Sequence, residues 1–155
     1  GYRLQVGSKE MFTDLKKCGF TPNKSKRVKF PVVPDRFLGD FVRGYFDGDG
    51  CVYFRQHIVK DRKKPKLIFA TRFTSGCRAF LESLHKSLLK KGITKGFITT
   101  KTNQSGYELV FSHRDSLALS HLMYNNVASG LFLPRKFKIY QKAIRTLFDR
   151  RIMRP

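Results

Sequence analysis

Two aspartates stand two residues apart in the stretch Phe41-Val42-Arg43-Gly44-Tyr45-Phe46-Asp47-Gly48-Asp49-Gly50, behind a run of apolar residues and just ahead of an alternating Val52-Tyr53-Phe54-Arg55 segment. Carboxylates so placed can form a turn or hold a cation. As a turn, Asp47-Gly48-Asp49-Gly50 needs only common turn formers. A calcium-binding EF-hand loop is excluded, because neither register supplies the third acid, the sixth-position glycine and the terminal glutamate together. What sets the pair apart is its place at the end of a predicted helix. The helix dipole is already negative there and carbonyl oxygens are exposed, so two more negative charges are unfavourable unless a cation joins them.

The elements that must position this pair follow from periodicity. Asp35 is expected to cap a helix on which Phe37, Leu38, Phe41, Val42, Tyr45 and Phe46 leave few polar positions, so that helix should be central and covered on most of its circumference. After Gly50 the period becomes two. Val52 and Phe54 face one way and Tyr53, Arg55 and His57 the other; residues 59–66 form a basic turn. In the next strand Leu67, Phe69, Thr71 and Phe73 alternate with Lys66, Ile68, Ala70 and Arg72. Residues 77–91 read as a helix with Phe80, Leu81, Leu84, Leu88 and Leu89 inward and Gly92 as its stop. Residues 96–102 and 107–112 are two further strands joined by a turn at 103–106. Helices follow over 114–126 and 134–152, the last introduced by Pro134.

The order is helix, strand, strand, helix, strand, strand, helix, helix, an α+β layer with a four-stranded antiparallel sheet and helices on one face. The other face, expected to be concave, would carry Tyr53, Arg55, His57, Lys66, Arg72, Thr99 and Lys101, suited to a DNA groove. Ahead of this unit, residues 2–6 alternate like a short strand. Residues 8–20 make an amphipathic helix with Met11, Phe12, Leu15 and Cys18 near one face and Gly19 as C-cap. Residues 21–34, with Pro22, Pro31 and Pro34, form an extended connector. The segments starting Gly1-Tyr2-Arg3-Leu4 and Gly106-Tyr107-Glu108-Leu109 share a strand, a serine followed by charge, a helix and a closing lysine. Residues 1–34 thus look like the tail of a preceding, related half, and residues 35–155 form the main domain.

Thirty-two Lys and Arg against 11 Asp and Glu give a formal net charge of +21 in 155 residues. So large an excess calls for a polyanion, and the 15 phenylalanines place the charge on a folded surface rather than in a disordered tail. A phosphate backbone is the usual partner of such a surface. No apolar run approaches a membrane span, and the N-terminal residues lack signal-peptide zones. Cys18, Cys51 and Cys77 show no paired spacing, so neither a disulfide framework nor a zinc site is expected and the compartment reads as intracellular and reducing.

The stretch Val42-Arg43-Gly44-Tyr45-Phe46-Asp47-Gly48-Asp49-Gly50 resembles the signature of the LAGLIDADG homing endonucleases, and the αββαββα order over residues 35–150 agrees with that fold. The resemblance implies a site-specific endonuclease that hydrolyses both strands of DNA at a long site with Mg²⁺ or Mn²⁺. It implies that two motif helices pack together, with Phe41, Gly44, Tyr45 and Gly48 at their contact, the glycines letting the backbones approach closely. Asp49 would then ligate the metal with the Gly48 carbonyl, while Asp47 would be structural. Leu133-Pro134-Arg135-Lys136 resembles the family's late basic element, making Lys136 a candidate to act on the scissile phosphate or the attacking water, with Lys24 as its counterpart in the first repeat. Only one motif is present, so the second half would come from a homodimer or from an upstream half of the same protein. The competing readings are a DNA-binding regulator or RNA-splicing maturase that keeps the fold without cleaving DNA, and a generic RNA-binding module, which would explain the charge but not the acidic pair.

Overall fold

Leu38, Val42 and Phe46 recur four residues apart and are buried on one side of α2 (Leu38–Asp49), which the chain enters through a 3₁₀ turn at Asp35–Phe37. This computed structural model describes residues 5–17, 19, 24–58, 65–128 and 130–147. Asp35 does not cap α2: its carboxylate takes Lys91 Nζ at 3.1 Å, and the residue before the helix, Phe37, has no side-chain oxygen to offer. The turn supplies the entry geometry instead. At the other end α2 passes into a strand with no loop. Gly50 is both the helix C-cap and the first strand residue, and a Cβ there would run into the ring and backbone of Phe46.

The strands are β1 (Gly50–His57), β2 (Lys66–Ser75), β3 (Phe97–Thr100) and β4 (Tyr107–Ser112). They form one antiparallel sheet in the order β1-β2-β4-β3. Val52 lies opposite Thr71, and Phe73 opposite Leu109. Because side chains alternate along each strand, this register sends Val52, Phe69, Thr71, Phe73, Leu109 and Phe111 under the helices, where they are buried. The helices α2, α3 (Arg78–Leu89), α4 (His113–Tyr124) and α5 (Pro134–Leu147) cover that one face. The αββαββα order and the four-stranded antiparallel sheet are those expected from the sequence. Leu89 departs from expectation: it sits one position off the Leu81, Leu84, Leu88 stripe and is exposed. The turn at Lys101–Gly106 closes the β3–β4 hairpin through a bond from the Lys101 N–H to the Gly106 carbonyl.

Two glycines on α2 have opposite surroundings. A Cβ on Gly39 would lie 2.5 Å from the Leu122 carbonyl oxygen of α4, whereas one on Gly44 would meet nothing within 4 Å. Gly39→Ala should therefore force α2 and α4 apart and cost about 1–2 kcal/mol, since overpacking outweighs the gain in helix propensity. Thermal unfolding of the variant checks this, with an unchanged melting temperature counting against the close crossing.

The amphipathic N-terminal helix is present as α1 (Lys9–Lys17), started by Ser8, whose Oγ accepts the Met11 N–H at 3.1 Å. Its apolar stripe has no cover among the described residues: Met11, Phe12 and Leu15 are 45 to 51% exposed, and Val6, ahead of the helix, is 59% exposed. Gly19 follows in a left-handed conformation, as a C-cap requires. Of the connector at 21–34, residues 24–34 are described; they hold a 3₁₀ turn at Lys24–Lys26 and no other helix or strand before the turn at Asp35. Most of the expected strand at 2–6, Cys18, the core of the basic turn at 59–66 and the last turn of the helix expected to reach 152 lie outside the described residues.

Candidate metal and nucleic-acid site

The acidic end of α2 is built from three elements. Asp47 turns inward: its Oδ2 accepts the Leu133 N–H at 3.0 Å, tying the α4–α5 loop to α2. Its other oxygen is buried without a hydrogen-bond partner, as is the Tyr124 hydroxyl. Burial first, and the Asp47 charge second, push the Tyr124 pKa well up. Arg43, buried on the same side, holds the loop a second time. It donates to the carbonyls of Leu131 and Met123, at 3.0 Å each, and to Asp40 at 2.7 Å. Asp49 does the opposite and stands exposed at the last position of the helix.

The doubly held loop delivers Lys136 to the same spot. Lys136 is only 5% exposed, and its Nζ donates to the carbonyls of Phe46 at 2.6 Å, Asp47 at 3.0 Å and Gly50 at 2.6 Å. Three acceptors use all three N–H groups of an ammonium. Burial, and then the neighbouring Arg135 charge, lower its pKa, against the pull of Asp47 and Asp49. The geometry makes Lys136 a cationic cap on the negative end of α2. The Gly48 carbonyl is not among those it occupies.

The outer side of α2 is bare. Gly44 and Gly48 are exposed with open space where a Cβ would be, and Phe37 continues the same line at 48% exposure. Phe41 and Tyr45, expected beside them, are half-buried and mostly occupied within the chain. Phe41 meets Phe30 of the connector edge-on at 5.3 Å. Tyr45 stacks on Phe73 at 5.8 Å and donates its hydroxyl to the Thr74 carbonyl, and burial raises its pKa to about 12. Phe37 was missing from the expected contact, although its spacing to Phe41, Gly44 and Gly48 at three and four residues would have found it. One groove is lined by Gly44, Tyr45, Asp49 and Ser25. The turn holding Lys24 thus lies along the groove that Asp49 enters; its side chain is outside the description.

Register places the expected reading residues together. Tyr53, Arg55 and His57 on β1, Lys66 and Arg72 on β2 and Thr99 on β3 share the sheet face away from the helices. Lys101 falls just past β3, in the hairpin turn. The face is less uniformly basic than expected. Glu108 stands 3.7 Å from Arg72, and Ile68, Val110 and Phe97 add apolar patches between the charges.

Among the described residues no three His, Cys, Asp or Glu side chains are grouped to hold a metal, and none of the helices is long and apolar enough to cross a membrane. Asp49 offers one exposed carboxylate beside the Gly48 carbonyl, two oxygen donors that suit a hard divalent cation but are too few to hold one alone.

A LAGLIDADG-like domain model matches residues 36–120, more than half of the chain. Solved structures with a similar fold include the homing endonuclease I-CvuI in complex with DNA in the presence of magnesium. It is 17% identical over 72% of this chain and 66% of its own, with a TM-score of 0.51. The group I intron-encoded homing endonuclease I-CeuI complexed with DNA is 19% identical over 92% of this chain and 72% of its own, at 0.54. I-SmaMI bound to cleaved DNA is 16% identical over 96% of this chain but 47% of its own, at 0.55. The chain therefore spans just under two thirds of I-CvuI and about half of I-SmaMI. No curated protein sequence matches it significantly. With the matched region running from the turn before α2 to α4 and the αββαββα fold in common, this chain belongs to the LAGLIDADG homing endonuclease family.

Proposed function

We propose that this chain contributes one half of a site-specific double-strand DNA endonuclease, with a divalent metal held between the Asp49 carboxylate, the Gly48 carbonyl and their counterparts on a second motif helix. The observation that carries the reading is the bare Gly44–Gly48 side of α2 ending on an exposed Asp49, beside a lysine that neutralises the helix terminus. A metal so bound supplies an activated water and charge neutralisation at the leaving oxygen. The chain's own residues do the rest. Lys136 fixes the direction of the helix-end carbonyls, and Asp47 and Arg43 fix Lys136 through the loop. Arg55, His57, Lys66, Arg72 and Lys101 engage the duplex, with Tyr53 and Thr99 among them on the sheet face.

The second helix is read as part of a preceding half, of which residues 1–34 are the end. The uncovered stripe of α1 supports this, because Met11, Phe12 and Leu15 would be covered by that half's own sheet. A second copy of this chain is the other source. Either way the helices meet across glycine. Gly44→Ala should leave this half as stable as before or up to about 1 kcal/mol more stable through helix propensity, yet weaken its association with the second half. Melting and sedimentation measured on one sample separate the two effects, and weaker folding with intact association would contradict the assignment. The function itself is tested by cleavage of a randomised DNA library in magnesium and in EDTA. Metal-dependent ends at one long site support an endonuclease built on a second copy of this chain. Enrichment without ends supports a binding protein on the same fold or a half-enzyme lacking its partner helix, and cleavage regained when a preceding half is joined to the chain separates those two.

A further inference from the structure

The outer face of α5 carries charge that the sheet site cannot use. Arg135, Lys138, Lys142 and Arg145 are exposed and recur at spacings of three, four and three, which sets them along one side of the helix over about 15 Å. The buried residues of α5 are Lys136, Tyr140 and Ala143, on nearly the opposite side. Tyr140 packs under the sheet, its hydroxyl 2.7 Å from Thr71 Oγ1. The stripe therefore points away from the sheet, with the helix and sheet layers between it and a duplex on the reading face.

No carboxylate among the described residues lies within ion-pair distance of these four side chains, and α5 itself contains no acid. Like charges three and four residues apart cost a helix stability. Within the described residues nothing in the chain offsets that cost. The stripe also lacks what single strands or base edges would need: no exposed aromatic lies on it among the described residues, and its neutral polar neighbours are Gln141 and Thr146, whose hydroxyl is already given to the Lys142 carbonyl at 2.8 Å. A row of cations alone fits the phosphate backbone of a duplex. A duplex lying on the sheet is too stiff to bend round to α5 over so short a distance.

We infer that α5 is a second, sequence-independent docking surface for double-stranded DNA, able to hold another duplex segment while the sheet face is occupied. This rests on the reading of the sheet face as the primary DNA site. Its consequence is transfer between segments during target search: the chain would move from one duplex to another without passing through free solution.

The test uses an immobilised 30-base-pair duplex loaded with the full chain in EDTA, then a fluorescent 30-base-pair duplex of unrelated sequence. Wild type should retain the second duplex. Lys138→Gln/Lys142→Gln/Arg145→Gln should retain about tenfold less, and the salt slope of second-duplex capture should fall by roughly three counterions, in line with counterion release. The variant should still bind the first duplex and melt no lower than wild type, because its substitutions remove repulsion. Equal capture by the variant, no capture by wild type, or capture of an RNA duplex in preference to DNA would each overturn the inference. The primary reading fails differently. Library cleavage or first-duplex binding would then survive Arg55→Gln/Lys66→Gln but not the α5 substitutions.

Discussion

Asp49→Asn is expected to abolish metal-dependent cleavage, by more than about a hundredfold as for the loss of one group stabilising developing charge, while leaving DNA binding and folding intact. The separation is the informative part. Asp49 is exposed and ends a helix whose terminus is already negative. Its charge is repelled by the helix dipole but attracted by the neighbouring Lys136 ammonium, and the two effects oppose each other, so the melting temperature measured in EDTA should stay level within about 1 kcal/mol. Asparagine keeps the size and loses the anion. In magnesium the wild type should melt higher, because only it gains the stabilisation that a bound ion confers on the folded state. Equal cleavage by the variant would remove Asp49 from the site. A lowered melting temperature in EDTA would show that the carboxylate serves the fold instead.

The fold was legible because its two periods are clean. Leu38, Val42 and Phe46 mark a helix, Val52 and Phe54 against Tyr53 and Arg55 mark a strand, and the change between them falls at Gly50. What periodicity could not tell was which apolar positions of α2 face outward. Phe41 and Tyr45 look like neighbours of Gly44 and Gly48 along the chain, but Phe30 and Phe73, far away in sequence, draw them inward. Asp35 failed as a cap for a similar reason: Lys91, 56 residues on, competes for its carboxylate. The α1 stripe was read correctly as amphipathic, yet amphipathicity says only that a partner is needed, and none of the described residues supplies it. Arg43 gave no signal at all. Inside the signature it looks like a surface charge, and only the fold reveals that a carbonyl from the last turn of α4 and one from the α4–α5 loop converge on it.

Lys136→Met is the harshest substitution expected here for stability. Lys136 is nearly fully buried and is held by three carbonyl oxygens. Methionine fills much of the volume but donates nothing, so the Phe46, Asp47 and Gly50 carbonyls lose their cationic partner. The cost should be about 2–4 kcal/mol, the range for breaking charged hydrogen bonds at a buried site. For a chain of this size that lowers the melting temperature by about 4–16 °C. Lys136→Arg should not rescue it, because a planar, longer guanidinium cannot place three N–H groups on carbonyls that converge on one nitrogen. The two helix-end residues then separate cleanly: Asp49→Asn loses cleavage without loss of stability, while Lys136→Met loses stability first and carries cleavage down with it. Cleavage measured well below the melting temperature of the variant decides whether Lys136 does more than hold the helix end. If activity per folded molecule survives there, its whole contribution is structural. If Lys136→Met melts like wild type, the three-carbonyl cap is not the arrangement that holds α2 to α5.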